Sequence, residues 1–256
     1  MRIAVYCGSR GGAHPKYVEA ARELGTWIGK SGHTLVYGAG FLGIMGAVSA
    51  AVQESGGHII GVIPQFMVDQ GWEKKDLKRI REEDLPDVEA AWAKEKTGTA
   101  SLTTGNCPIY PAPDESDITR SAKTGEDPDL ERCANAPGGP SKESGTAVSG
   151  PGDVMLITSS MSTRKAKMME LADVYIALPG GPGTLEEIAE VISLAAVHQH
   201  EKPCILLNQD GFYDPLRLMY EHMLEQDFTV QANLTHVHYA ADVQEVLRLA
   251  DGAGET

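Results

Sequence analysis

The residues best suited to chemistry lie in one glycine-rich segment, LPGGPGTLEE, which runs from Leu178 to Glu187. An apolar run typical of a β-strand directly precedes the segment, and a helical pattern directly follows it. In such an arrangement the backbone can approach a phosphate closely, the first helical amides point at it, and the helix dipole favours its charge. We therefore predict an anion-binding site that uses four residues: Gly180, Gly181, Gly183 and Thr184.

A structural explanation also exists for part of this segment. Thr184 and Glu187 have the spacing of a capping box, in which the two side chains satisfy free amides at a helix start. This explanation needs no ligand, but it leaves the three glycines unexplained. Both roles therefore stay open for Thr184 and Glu187 from the sequence.

A second glycine cluster, Gly38-x-Gly40-x-x-Gly43, also lies between a predicted strand and a predicted helix. Its spacing fits the fingerprint of dinucleotide-binding folds. The next strand, however, ends at Pro64 without the acidic residue that would bind the ribose hydroxyls, which argues against NAD. A mononucleotide contact through Gly38 and Gly40 and tight helix-to-sheet packing are the two remaining explanations.

The first predicted strand-to-helix turn, Cys7-Gly8-Ser9-Arg10, comes to the same edge of the predicted sheet. Ligands of open α/β folds bind at this edge, where the carboxyl ends of the strands meet. Ser9 could donate a hydrogen bond to a phosphate or sugar hydroxyl, and Arg10 could supply positive charge. A plain turn is the alternative for either residue.

Three cations, Arg164, Lys165 and Lys167, fall within four positions at the start of another predicted helix. The helix dipole disfavours positive charge at this end, so the placement indicates an anionic partner. A solvated basic helix face would explain the same residues.

The elements that must position these residues alternate between short apolar runs and longer segments of helical periodicity. This alternation predicts an α/β fold, a parallel sheet with helices on both faces. The predicted strands are Ile3–Cys7, Thr34–Tyr37, His58–Ile63, Val154–Thr158, Val174–Leu178, Cys204–Leu207 and Thr235–His238. The predicted helices are Pro15–Lys30, Gly43–Ser55, Ser162–Leu171, Thr184–His198, Asp214–Gln226 and Ala241–Leu249.

One long stretch interrupts this alternation. Between Glu95 and Gly152, Pro and Gly make up roughly a quarter of the residues, which buries too little apolar area to offset chain entropy. We predict a single domain over 1–256 that contains a flexible low-complexity insertion at 79–152. The charged segment from Trp72 to Lys96 is predicted to be a helical shoulder leading into the insertion.

The overall charge excludes several classes of partner. With 36 Asp and Glu against 22 Lys and Arg, the net charge of −14 disfavours nucleic acid polymers and anionic membranes. No apolar run reaches the roughly 18 residues that a membrane span needs. The four cysteines show no ligand spacing, so no disulfide framework or zinc site is indicated, and a cytoplasmic setting is expected.

The combination of Arg164-Lys165 with the pattern PGGxGTxxE at 179–187 resembles the signature of the LOG family, named after the plant "lonely guy" enzymes. The turns at Cys7-Gly8-Ser9 and at 37–46 fit the same family, as does Gly61-Val-Ile-Pro64. The resemblance covers about 1–75 and 154–240. The long insertion departs from the family's pattern, and so do Ala39 and Phe41 in the second glycine turn.

The resemblance implies a Rossmann-like, doubly wound homodimer that needs neither metal nor organic cofactor. It implies hydrolysis of the N-glycosidic bond of cytokinin riboside 5'-monophosphates, and of AMP, to the free base and ribose 5-phosphate. Arg164 and Glu187 would be the catalytic residues. The nucleotide contacts would come from Lys165, from the loop between Gly180 and Glu186, and from Ser193.

A second hypothesis of a different class is a non-catalytic carrier of a nucleotide or a phosphorylated cofactor. Proteins of similar fold bind phosphorylated ligands without converting them. The family is also described as a lysine decarboxylase, but that activity would need a lysine that forms a Schiff base with pyridoxal phosphate. Nothing in the sequence marks such a lysine.

Overall fold

The computed structural model of the chain describes residues 1–97 and 152–253. The chain divides into two compact units, Met1–Leu85 with Asp153–Thr256 and, separately, Pro86–Gly152. Most of the predicted insertion, with Cys107 and Cys133, lies outside the described residues. Its predicted flexibility therefore stays a prediction.

The larger unit is built on one parallel sheet, which confirms the predicted fold class. Within the described residues the strands are β1 (Arg2–Tyr6), β2 (Thr34–Tyr37), β3 (His58–Pro64), β4 (Lys78–Ile80), β5 (Val154–Thr158), β6 (Val174–Ala177), β7 (Cys204–Leu207) and β8 (Val237–Ala240). Their spatial order is β4-β5-β3-β2-β1-β6-β7-β8. Each pair is parallel, with for example Ala4 opposite Val36 on one side and Tyr175 on the other.

The described helices are α1 (Lys16–Lys30), α2 (Gly43–Glu54), α3 (Gln65–Asp69), α4 (Leu85–Thr97), α5 (Met161–Leu171), α6 (Pro182–Ala196), α7 (Asp214–Glu225) and α8 (Val243–Ala253). The sequence-predicted helices agree with these within a few residues at each end. The short helix α3 was not predicted.

The sheet is covered on both faces. On one face, alternate strand residues such as Ile3 and Val5 pack with α1, α2 and α8 in a continuous apolar core. The opposite residues of the same strands are buried as well. On that second face the Tyr175 hydroxyl donates to the Met169 carbonyl of α5, at 3.0 Å. This two-sided burial explains why the strands read as unbroken apolar runs.

The strands are added on one side of β1 first and on its other side later. β1 connects outward through β2 to β3, whereas β6, its other neighbour, is reached only after the chain has passed through β5. Helix α5 makes that return, and it contacts β5, β3, β2 and β1 on its way. The carboxyl ends of β1 and β6 therefore meet at a topological switch point, the position where open α/β folds bind ligands.

The predicted helical shoulder over Trp72–Lys96 is wrong in its first half. Lys78–Ile80 instead forms the strand β4, paired with Val154–Leu156 at the edge of the sheet. A 3-10 turn at Glu82–Asp84 follows, and only then does α4 begin. The charged residues Lys78 and Arg79 concealed this strand, because an edge strand can expose side chains that a central strand must bury.

No helix within residues 1–97 and 152–253 is long and apolar enough to cross a membrane. Among the same residues, no three His, Cys, Asp or Glu side chains converge into a group that could hold a metal ion.

Helices α1 and α2 approach each other closely at Gly25. A Cβ added at Gly25 would contact the Val48 carbonyl oxygen and would lie 2.9 Å from the Ala51 Cβ. We expect Gly25→Ala to lower the free energy of unfolding by about 1–3 kcal/mol, because the helices must separate to accommodate the methyl group.

The matched control is Gly252→Ala in α8, where an added Cβ meets no described atom within 4 Å. Alanine has the higher helix propensity, so this variant should unfold at the same or a slightly higher urea concentration than the parent. Equal destabilisation of both variants in urea titrations would contradict the close approach of α1 and α2.

Candidate active site

Three turns interlock at the carboxyl edge of the sheet. The Gly8 N–H, after β1, donates to the Pro179 carbonyl after β6 at 3.3 Å. The Gly8 carbonyl in turn accepts the Met45 N–H at the start of α2 at 3.1 Å. The structure thus brings all three predicted glycine turns together, joined directly through their backbones.

In the second glycine cluster, a side chain would meet neighbouring atoms at several of the glycines. Gly43 has a φ of +56°, and a Cβ there would lie 2.5 Å from the Ser9 carbonyl oxygen. A Cβ at Gly40 would lie 2.6 Å from the Met45 sulfur. Tight packing, one of the two explanations raised from the sequence, therefore accounts for Gly43. At Gly40 a side chain would require Met45 to move, and the proposed nucleotide contact of Gly40 stays a prediction.

Gly38 has a different neighbour. A Cβ at Gly38 would contact the Arg164 guanidinium at Nη2. Arg164 Nε also donates to the Val62 carbonyl at 3.1 Å, at the end of β3. The guanidinium therefore lies across the ends of β2 and β3, in space that the missing side chain of Gly38 leaves open.

The centre of the site is a buried ion pair between the two predicted catalytic residues. Arg164 Nη1 lies 2.5 Å from Glu187 Oε1, and the residues are 6% and 8% exposed. Charge-assisted hydrogen bonds of this kind are among the strong ones in proteins. Two side chains 23 positions apart in the sequence thus form a buried ion pair at the carboxyl edge of the sheet.

Helix α5 presents Arg164 in its second turn. The N-cap of the helix is Ser160, whose hydroxyl accepts the Thr163 N–H at 3.2 Å while the Thr163 hydroxyl accepts the Ser160 N–H at 3.0 Å. This reciprocal capping box compensates for the cations at an unfavourable helix end. It is a structural feature that the Ser160-x-x-Thr163 spacing could have revealed and that the sequence analysis missed.

Helix α6 presents Glu187, and its start differs from the capping box considered above. The N-cap is Gly181 with Pro182 at the first helical position, and no side chain caps the helix. Thr184 is instead buried against Gly180, where a Cβ would contact its hydroxyl. The capping-box interpretation of Thr184 and Glu187 is therefore wrong, and Glu187 is free to pair with Arg164.

The electrostatics of Glu187 combine two opposing effects. Burial raises the pKa of the Glu187 carboxyl, and the adjacent Arg164 offsets part of that rise. Burial and then the Glu187 charge raise the pKa of both Tyr6 and Cys7 nearby. A partly desolvated carboxylate with a raised pKa is suited to accept a proton from water or to stabilise a developing cation.

Lys165 contacts two other carboxylates of α6. It forms ion pairs with Glu186 and Glu190, the latter at 2.8 Å, and these two carboxylates raise the pKa of the Lys165 ammonium. Ser193 lies exposed one turn beyond Glu190, and its hydroxyl donates to the Ala189 carbonyl at 2.7 Å. The structure therefore places Lys165, Glu186 and Ser193 along one side of α6, with Glu190 as an additional member.

The start of α6 is open to solvent. Gly181 and Gly183 are exposed, and a Cβ at either one would meet no described atom within 4 Å. The first helical hydrogen bond runs from the Leu185 N–H to the Gly181 carbonyl, so the amides of Gly183 and Thr184 precede it. Ser9 is exposed at the same edge. This geometry suits a phosphate group.

Comparison with known proteins shows the family to which the chain belongs. Residues 140–250 match the family described as "Possible lysine decarboxylase", and residues 1–80 match the SLOG cluster4 family. Cytokinin riboside 5'-monophosphate phosphoribohydrolase LOG1 of Arabidopsis thaliana is 30% identical over 89% of this chain and 71% of its own length. The chain belongs to the LOG family. The rice phosphoribohydrolase LOG (Oryza sativa subsp. japonica) is 33% identical over 90% of this chain, and the match spans 64% of the rice protein.

Solved structures support the fold of this LOG-family protein. The molybdenum cofactor carrier protein of Chlamydomonas reinhardtii superposes with a TM-score of 0.52 at 18% identity, covering 100% of this chain and 98% of its own. At this identity the likeness shows a shared fold alone.

The balance of forces on Glu187 can be measured directly. We expect a carbon-13 NMR titration to place the Glu187 pKa above the ordinary value of a glutamate, because burial is the larger effect. Replacing Arg164 with Met should raise the Glu187 pKa further, since the guanidinium is its hydrogen-bond donor and nearest cation.

The matched control is Lys165→Met, which removes a neighbouring cation of weaker influence on Glu187. This variant should move the Glu187 pKa much less than Arg164→Met does. An unchanged or lower Glu187 pKa in Arg164→Met would show that the buried pair does not hold the carboxylate ionised.

Proposed function

We propose that this protein hydrolyses the N-glycosidic bond of nucleoside 5'-monophosphates, including cytokinin riboside 5'-monophosphates and AMP. The products are the free base and ribose 5-phosphate. The observation that carries the proposal is the buried Arg164–Glu187 pair beside an open glycine loop at a helix start. The names of the relatives from rice and Arabidopsis support the same substrate class.

The phosphate binds at the start of α6. The exposed backbone of Gly181 and Gly183 allows close approach, and the amides of Gly183 and Thr184 and the helix dipole stabilise the negative charge. This local attraction is required, because the chain as a whole carries a net charge of −14. Binding energy from the phosphate then orients the sugar for reaction.

Glu187 acts at the sugar. When the bond between C1' and the base nitrogen breaks, its electron pair leaves with the base, and positive charge develops on the ribosyl ring. A nearby carboxylate stabilises that charge and takes a proton from the water that attacks C1'. The departing base takes up one proton, so the water supplies both the new hydroxyl on C1' and the hydrogen of the free base. The raised pKa of Glu187 makes it a better proton acceptor than an exposed glutamate.

Arg164 has two roles in this mechanism. Its Nη1 donates to Glu187 and keeps the carboxylate ionised and fixed in direction. Its Nη2 lies beside Gly38, and contact with the ribosyl hydroxyls or the phosphate there would bring the substrate into the same polar group.

Release of the free base tests the proposal. Purified protein incubated with isopentenyladenosine monophosphate or AMP should release the base, measured by chromatography. Glu187→Gln should reduce turnover by about 100-fold or more while nucleotide binding by calorimetry persists, because the amide keeps the shape and loses the charge.

The control is Glu225→Gln, an exposed glutamate at the end of α7, which should leave turnover unchanged. If the folded parent protein binds both nucleotides and leaves them intact, the hydrolase proposal fails. The outcome would then favour the non-catalytic carrier.

We also propose that the protein acts as a homodimer. Helix α7 buries none of its residues within the described chain, and Leu218 and Met219 are 59% and 52% exposed. Phe228 and Val230 add exposed apolar surface shortly after it. Apolar surface of this kind is typical of association sites.

Light scattering of the parent protein should therefore give the mass of a dimer. Leu218→Asp should shift the protein towards the monomer, because a buried interface tolerates an unpaired charge poorly. Glu225→Gln on the same helix serves as the control, and a monomeric parent protein at micromolar concentration would refute the proposed dimer.

A further inference from the structure

The strand β6 ends at Ala177, and the next residue, Leu178, starts the glycine loop, defined here as Leu178–Gly183. Up to this point β6 pairs with β7, with Ala177 opposite Leu206. The Leu178 carbonyl then accepts a hydrogen bond from the Tyr213 hydroxyl at 2.7 Å. A side-chain phenol thus holds the backbone where the strand pairing ends.

The other side of the loop is held from β1. The Leu178 N–H donates to the Tyr6 carbonyl at 2.9 Å, and the Pro179 carbonyl accepts the Gly8 N–H at 3.3 Å. The carbonyls of Leu178 and Pro179 are therefore fixed from opposite sides of β6. The direction in which Gly180 and Gly181 leave the sheet depends on both contacts.

The position of Tyr213 is itself closely determined. The Asn208 side-chain oxygen accepts the Tyr213 N–H at 2.7 Å, and its amide donates to Asp214 at 2.9 Å. The turn between them contains Asp210 and Gly211 at φ values of 51° and 73°. Tyr213 is 5% exposed, and its hydrogen bond to Leu178 is buried.

We propose that Tyr213 is a positioning residue for the substrate phosphate. It touches no reacting atom; it acts by fixing the Leu178 carbonyl, so that the amides at the start of α6 face the phosphate in a constant geometry. This inference rests on the proposed function, since it assigns the phosphate to the glycine loop. The hydrogen bond from Tyr213 holds the glycine loop whether or not a ligand is bound.

Tyr213→Phe removes one oxygen and keeps the aromatic ring. Calorimetry with the two products separates its effects, because ribose 5-phosphate carries the phosphate and adenine does not. We expect the affinity for ribose 5-phosphate to fall about three- to tenfold, the effect of one buried hydrogen bond, and the affinity for adenine to stay unchanged. With AMP, KM should rise more than kcat falls.

Hydrogen exchange of the peptide that contains Gly180–Thr184 gives a readout independent of any nucleotide. Its amides should exchange faster in Tyr213→Phe than in the parent protein. Tyr239→Phe is the matched control, because the Tyr239 hydroxyl is buried and has no hydrogen-bond partner among the described residues. It should change neither product affinity nor exchange in the loop.

Thermal unfolding first establishes that both variants are folded. If Tyr213→Phe leaves both product affinities unchanged, or weakens both equally, Tyr213 is not a positioning residue for the phosphate. If the parent protein releases no base from AMP, the proposed function fails. Hydrogen exchange then still tests whether Tyr213 holds the loop. Faster exchange of the loop amides in Tyr213→Phe supports that role, and unchanged exchange overturns it.

Discussion

The buried ion pair between Arg164 and Glu187 is the interaction on which the rest of this structure depends. Removing two charges from water costs several kcal/mol for each ion unless they meet with good geometry and further hydrogen bonds. Here the guanidinium satisfies the carboxylate and the Val62 carbonyl together. The pair can form only if α5, α6 and the ends of β2 and β3 are correctly placed, so this one polar contact depends on two helices and two strands.

Several glycines make room for the groups that surround this ion pair. Gly38 leaves room for the guanidinium, Gly43 lets the second turn lie against the first, and Gly180 lets Thr184 close over the loop. Each of these positions is a contact between backbone and a neighbouring group, where a methyl group would force the turns apart. Gly181 and Gly183 differ, because the space beside them is open. Crowding explains the first group, and access for a ligand explains the second.

Much of this arrangement could be predicted from the sequence. The alternation of apolar runs and helical periods predicted the parallel sheet, since strands buried on both faces leave an unmistakable pattern in the chain. Parallel strands also bring their carboxyl ends to one edge, so the pairing of Arg164 with Glu187 was within reach of motif spacing and family resemblance. The alternation of apolar runs is a strong indication of the fold because it is repeated over many residues.

Other features depend on contacts that no local pattern reveals. Thr184 and Glu187 have capping-box spacing, yet Pro182 starts the helix and long-range pairing with Arg164 determines the role of Glu187. The strand β4 has three residues, two of them charged, so it carries no apolar pattern. Tyr213 reaches the glycine loop from 35 positions away, and only the folded chain shows that its hydroxyl meets the Leu178 carbonyl.

The short strand β4 has one more consequence, which concerns solubility during folding. Among residues 1–97 and 152–253 it forms the edge of the sheet next to β5, and its exposed residues are Lys78 and Arg79. An open edge offers unpaired backbone groups to any other extended chain, and short edges with cationic side chains discourage such pairing. Three residues thereby discourage a foreign strand from pairing at this edge, and so oppose aggregation through one of the two edges of the described sheet.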